Sequence, residues 1–317
     1  MVDFNEYQFR ASQSSKLKTG NIGLSENQSK TLQIHLERKN GALSGTLDDK
    51  GKGIKPLTQN MEDELVELKK IKAENRLPKT MISELRKIFR SEKYSRNFLF
   101  TNAYVQKGIQ QEEEAITLYQ KYRKEVSGIN TYFTKNTERL YNDFFSGEPD
   151  LRPMIIEGKK VGFDTKCSYT LESFPFEEDE LDPSYECQNQ VYMDLDNADM
   201  WITAYCLVNC TEQQLFNEKQ KHFYALGMPG DMNHKYYNEY VKKCKEVEIM
   251  LIYDYDRFIE QYHAVLEIGR DEWFANGYDI PLKDRVIEKI SYRDKKFIDD
   301  LKVRAKVGRE YMIKLNY

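Results

Sequence analysis

No stretch of the 317 residues approaches the roughly 18 to 20 uncharged apolar residues that a membrane-crossing helix needs. The opening Met-Val-Asp-Phe-Asn-Glu lacks the basic segment and apolar core of a secretory signal. The expected location is therefore intracellular or within a virion, with no membrane partner. Histidine is scarce: His35, His222, His234 and His263 are scattered, and none stands beside a recognisable nucleophile motif. The five cysteines, Cys167, Cys187, Cys206, Cys210 and Cys244, are odd in number and irregularly spaced, which fits a reducing compartment rather than a disulfide framework. A phosphate-cradling glycine loop is missing too, since Gly227-Met228-Pro229-Gly230 has neither the lysine nor the strand–loop–helix setting.

One absence is local. From Cys167 to Glu218 there is not a single Lys or Arg against twelve Asp and Glu, although the whole chain is nearly balanced at 48 basic and 52 acidic residues. An acidic belt thus lies within a mildly basic frame, an asymmetry that speaks to partners rather than to fold.

Apolar residues make up 40% and charged residues 32%, proportions that suit helices with much exposed surface. Tyr is abundant at 22 and suits half-buried helix faces and interfaces. Residues 1–58 are rich in Gly, Ser and amides and read as an extended arm. Within it Leu32, Ile34 and Leu36 alternate with polar residues and Asn40-Gly41 follows, the pattern of a β-hairpin over about 31–47. Residues 59–148 read as helical, with one long helix expected from about Gln110 to Phe145. Residues 149–198 read as a small β insertion: Met154–Glu157 and Lys160–Phe163 flank Gly158-Lys159 as a hairpin, and Ser168–Phe176 is the third strand before the acidic loop. Residues 199–317 read as a long-helix domain. Trp201–Val208 is expected to be helical, Thr211 with Gln214 to cap the next helix, and Met232–Ile268 to form a rod. A last, basic helix starts after Pro281. The fold class expected is mainly α: an elongated bundle of long amphipathic helices with a small antiparallel β insertion and an extended N-terminal arm.

Two acidic pairs invite a metal. Asp194 and Asp196, placed after a presumed strand, would face the same way and share Mg²⁺. Asp254 and Asp256 sit in a helical pattern and point apart. Cys206, Cys210, His222 and Cys187 offer a zinc set, but their apolar surroundings favour buried thiols.

The architecture, taken with the separated charges, favours a non-enzymatic structural or adaptor subunit of a large symmetric assembly, most concretely a neck or tail ring protein of a tailed virus. Its partners would be further copies of itself and other structural subunits, and no cofactor is expected. Glu177, Glu178, Asp179, Glu180 and Asp182 form the acidic docking surface; Arg293, Lys295, Lys296, Lys302 and Arg304 form the basic one. The arm hairpin, with Leu32, Ile34, Leu36, Asn40 and Gly41, would lie on a neighbour's sheet edge. Nucleic acid is expected to contact only the arm, by its small basic excess. The alternatives are a metal-dependent transferase or hydrolase using Asp194 and Asp196, and a soluble regulatory module acting through its acidic surface.

Overall fold

Ser25 and Gln28 decide what the arm becomes. The Ser25 hydroxyl accepts from the Gln28 backbone N–H while the Gln28 side chain accepts from the Ser25 N–H, a reciprocal cap that starts a helix. In the computed structural model, which describes residues 2–96, 103–130, 132–227 and 235–316, that helix runs over Glu26–Ser44 and ends on left-handed Gly45. The hairpin expected at 31–47 does not form. Leu32, His35 and Leu36 also fit a helical stripe, Ile34 points to solvent, and Asn40-Gly41 falls inside the helix, where Gly41 lets the Ile54 side chain come close.

The chain divides into two units, 1–97 with 296–317 and 98–295. The first contains a short strand β1 (Phe9–Arg10) and helices α1 (Ser14–Lys18), α2 (Glu26–Ser44), α3 (Gln59–Glu74) and α4 (Lys79–Tyr94). Leu32 of α2 packs on Leu65 and Leu68 of α3. Met81, Leu85, Ile88 and Phe89 form the buried side of α4.

The second unit opens with α5 (Ala103–Glu125), followed by the paired strands β2 (Leu140–Tyr141) and β3 (Phe145–Gly147). Its centre is a four-stranded mixed sheet. β4 (Leu151–Ile156) and β5 (Lys159–Cys167) are antiparallel, and their turn places Glu157 and Gly158, both left-handed, at its centre, as a tight hairpin requires. Helix α6 (Pro183–Asp196) then carries the chain across to β6 (Met200–Cys206), which runs parallel to β5. Helices α7 (Glu212–Ala225), α8 (Tyr237–Leu251), α9 (Tyr255–Tyr262) and α10 (Arg270–Ala275) follow before β7 (Val286–Tyr292) adds to β6 antiparallel. Helix α11 (Lys295–Leu315) belongs to the first unit from Lys296 on.

One sheet face packs on α5, where Ala115, Leu118 and Tyr119 meet Val161, Phe163, Ile202, Ala204 and Val286. On the other face Tyr192 of α6 lies 5.1 Å from the Trp201 ring, and the indole covers Gly162, where an added Cβ would come within 2.0 Å of it. Cys210, Leu215, Val247, Leu251, Phe258 and Trp273 form a second core among α7 to α10.

A mixed sheet enclosed by helices therefore replaces the expected long-helix bundle with a small antiparallel insertion. The periodicity misled in specific places. The expected helix to Phe145 stops at Glu125; Gly128 is left-handed, and Phe133 returns to stack 4.8 Å from Tyr119. The 232–268 rod breaks after Leu251, where the Asn209 side chain accepts from the Tyr253 and Asp254 N–H groups and donates to the Asp254 carbonyl. Asp254 then caps α9. Its presumed start, Pro229 to His234, lies outside the described residues. Trp201–Val208 begins as β6 rather than a helix, and the segment after Pro281 forms β7 before α11. The Thr211–Gln214 cap forms as expected.

Candidate active site

β3 ends at Gly147, and Glu148-Pro149 delivers Asp150 immediately before β4. The Asp150 Oδ2 accepts from both the backbone N–H (2.8 Å) and the Oγ1 (3.0 Å) of Thr165 on β5. Thr165 separates Asp164 from Lys166, and strand alternation puts those two side chains on one face. They form an ion pair. Asp164 is 1% exposed, and neither of its carboxylate oxygens accepts a well-formed hydrogen bond. Next to them on β6 are Thr203, opposite Asp164, and Tyr205, opposite Lys166.

Asp150, Thr165 and Lys166 line a cleft of about 450 Å³ together with Glu112 of α5, Tyr169, Tyr185 and Tyr205, and Asp164 lies buried behind Lys166. The Lys166 ammonium lies 5.0 Å from the Tyr185 ring centre. Glu112 pairs with Lys135 at 3.1 Å.

Burial, reinforced by the Asp164 charge, pushes Asp150 up to about 7. Burial works against the Lys166 ammonium, yet the Asp164 and Asp150 charges outweigh it and hold the group above an ordinary lysine. Burial likewise pushes the Cys167 thiol up to about 12 and the Tyr205 hydroxyl to about 12. Lys166 balances Asp164, and a cation bound beside Asp150 would favour its ionised form.

Asp150 and Asp164 are hard oxygen donors, and the Asp164 Oδ1, the oxygen not facing the Lys166 ammonium, is left without a partner that a Mg²⁺ or Mn²⁺ ion would supply. Among the described residues no three His, Cys, Asp or Glu gather as a ready-made metal cage. Mg²⁺ does not need one, because it keeps several waters and takes one or two carboxylates together with substrate phosphates.

The residues singled out from sequence lie elsewhere. Asp194 and Asp196 close α6 rather than a strand; Asn142 donates to Asp194 at 2.7 Å, and Lys160 pairs with Asp196 at 2.9 Å. Glu177, Glu178, Asp179 and Glu180 are exposed, and Asp182 caps α6. The backbone carbonyls of Phe176, Glu177 and Asp179 accept from Lys289 of the same chain. Arg293 donates to Asn197, and Lys295 and Lys296 are exposed. Lys302 is half-buried on α11. Arg304 is buried and donates to the carbonyls of Leu17 and Gly20. Leu32, Ile34, Leu36, Asn40 and Gly41 are all in α2. Cys206 and Cys210 are buried thiols.

Asp150, Asp164 and Lys166 were not among those residues. A signal was present: Pro149-Asp150 at a strand start, and an Asp-x-Lys on one face of the next strand of a hairpin.

No protein-family model matches the sequence, and no curated protein matches it either. Among solved structures, the crystal structure of a phage-related exonuclease from Haemophilus somnus 129PT is similar over 98% of this chain and 95% of that one, at 22% identity and a TM-score of 0.54. An alkaline exonuclease from Laribacter hongkongensis aligns over 98% of this chain and 90% of its own, at 9% identity and a TM-score of 0.45. The chain therefore has the fold of the first structure nearly end to end. This likeness overturns the expected structural adaptor or ring subunit of a virion, because the fold is shared with a structure described as a phage-related exonuclease. The cleft is lined by Asp150, whereas Asp194 and Asp196 lie outside it at the end of α6. Among the described residues no helix is long and apolar enough to cross a membrane.

Proposed function

We propose that the chain is a metal-dependent nuclease, hydrolysing phosphodiester bonds of DNA in the Asp150–Asp164–Lys166 cleft. The observation that carries this reading is the convergence of Asp150 from the start of β4 with the Asp164–Lys166 pair on one face of β5, where Asp150 and Lys166 line an open cleft and Asp164 lies directly behind them. The structure sharing the fold is described as a phage-related exonuclease, which supports the choice of substrate.

Asp150 and Asp164 would hold a divalent cation, which when bound supplies charge to the phosphate and acidity to a water. Thr165 fixes Asp150 through two hydrogen bonds to Oδ2, which leaves Oδ1 of this cleft-lining residue for a ligand. Lys166 keeps its proton at Nζ and offers a donor to a phosphate oxygen where charge develops. Glu112 at the rim can orient water.

The test is degradation of linear DNA by the purified chain with Mg²⁺ or Mn²⁺. Metal-dependent cleavage abolished by Asp164→Asn and Lys166→Ala supports the reading. Cleavage unaffected by both substitutions would end it.

A further inference from the structure

Helix α4 carries a surface that the cleft does not explain. At 100° per residue, Lys79, Ser83, Arg86, Lys87, Arg90, Lys93 and Tyr94 fall within about 120° of the helix circumference. All seven are exposed. Nothing acidic lies in that sector: Glu84 and Glu92 sit on the flanks, and only Glu84 reaches in, 3.5 Å from Lys87. Among the described residues no carboxylate pairs with Lys79, Arg86, Arg90 or Lys93. From Lys79 to Lys93 the row extends about 21 Å.

The stripe is rigidly mounted. The opposite side of α4 is buried, and Gly308 of α11 lets the helices meet, since an added Cβ there would stand 3.0 Å from Leu85 and 3.6 Å from Met81. Arg86 donates to Tyr311 of α11 at 3.0 Å. The unit bearing the stripe is basic, with 25 Lys and Arg against 16 Asp and Glu, whereas the unit bearing the cleft has 23 against 36. An acidic catalytic unit repels a polyanion at long range, so retaining one requires cations elsewhere on the chain.

We infer that the exposed α4 stripe is a sequence-independent contact surface for the phosphate backbone of duplex DNA. The identity of the polyanion rests on the nuclease reading. A straight row of five cations over about 21 Å spans roughly six base-pair steps of one strand, at 3.4 Å each. Tyr94, 63% exposed at the end of the row, adds a hydroxyl donor and a flat ring beside the cations.

The test uses the full chain in EDTA, where no cleavage occurs, and a fluorescein-labelled duplex of about 30 base pairs titrated by anisotropy across a salt series. The triple variant Lys87→Gln, Arg90→Gln, Lys93→Gln should weaken binding about tenfold or more and flatten the salt dependence by about two to three ions released. Lys69→Gln, Lys70→Gln, Lys72→Gln on α3 removes equal charge from the same unit and should change binding about twofold at most. Thermal melts confirm that both variants fold. Equal losses in the two triples, or none in the stripe, overturn the inference. So does stripe-dependent flotation with phosphatidylserine vesicles without duplex binding. Hydrolysis of bis(p-nitrophenyl) phosphate with Mn²⁺ reads the cleft alone and should survive the stripe triple. If the wild type hydrolyses neither substrate yet binds the duplex through the stripe, the surface stands and the nuclease reading falls.

Discussion

Thr165 holds Asp150 from the next strand through both its backbone N–H and its hydroxyl, at 2.8 and 3.0 Å. The two bonds tie the residue that precedes β4 to β5, beside Asp164 and Lys166. A valine at 165 would keep the β-branched shape and lose one bond, while the backbone bond would persist.

Lys166→Ala is expected to lower DNA hydrolysis about 10²- to 10³-fold with little change in duplex affinity, because the lost donor acts where charge develops. Single-turnover rates against anisotropy in EDTA separate the two effects. Asp164→Ala should also destabilise the fold by about 3 to 5 kcal/mol, since Lys166 would lose the partner that offsets its burial. Urea melts measure that cost.

In EDTA the stability should fall as pH rises from about 4 to about 7. The sign follows from Asp150: its folded value near 7 exceeds the ordinary 3.8, so the folded state binds more protons between those values. The contribution is complete below the ordinary value and lost above 7, and is on the order of a few kcal/mol. Asp150→Asn should remove that part of the slope in chemical melts at pH 4.5 and 7.5.

Mg²⁺ or Mn²⁺ should raise the wild-type melting temperature and leave the Asp150→Asn, Asp164→Asn double variant unchanged. At a metal concentration about 100 times the dissociation constant the gain is about 2.7 kcal/mol. Calorimetric titration without DNA checks the same point independently of activity.

Gly162→Ala should destabilise by about 1 to 3 kcal/mol or more, because the new methyl would enter the Trp201 ring. Trp201→Leu, costly alone, should recover part of the loss when the two are combined. A double-mutant cycle in urea gives the coupling.

Local signals in the sequence were readable where the chain speaks to itself. The Thr211–Gln214 cap and the hairpin around Gly158 needed only neighbours a few residues away. Helical periodicity failed where distant contacts decide: Asn209 interrupts the run at Tyr253 and Asp254 from some 45 residues away. Trp201–Val208 is apolar enough for either state, and its place between β5 and β7 makes it a strand. The cleft was hidden for a related reason. Asp150 and Asp164 are modest in print beside the run at Glu177–Glu180, and only strand pairing brings them together. The run that drew attention is chiefly an exposed loop pinned at its backbone by Lys289.

The parallel pairing of β5 with β6 also orders events in time. During synthesis Asp164 and Lys166 leave the ribosome on a strand with only β4 beside it. Its other side waits until Met200–Cys206 has emerged, and β6 in turn waits for Val286–Tyr292. Long-range closure of this kind is slow compared with forming a helix or hairpin. The nascent chain therefore passes most of its elongation with the sheet behind the cleft unfinished.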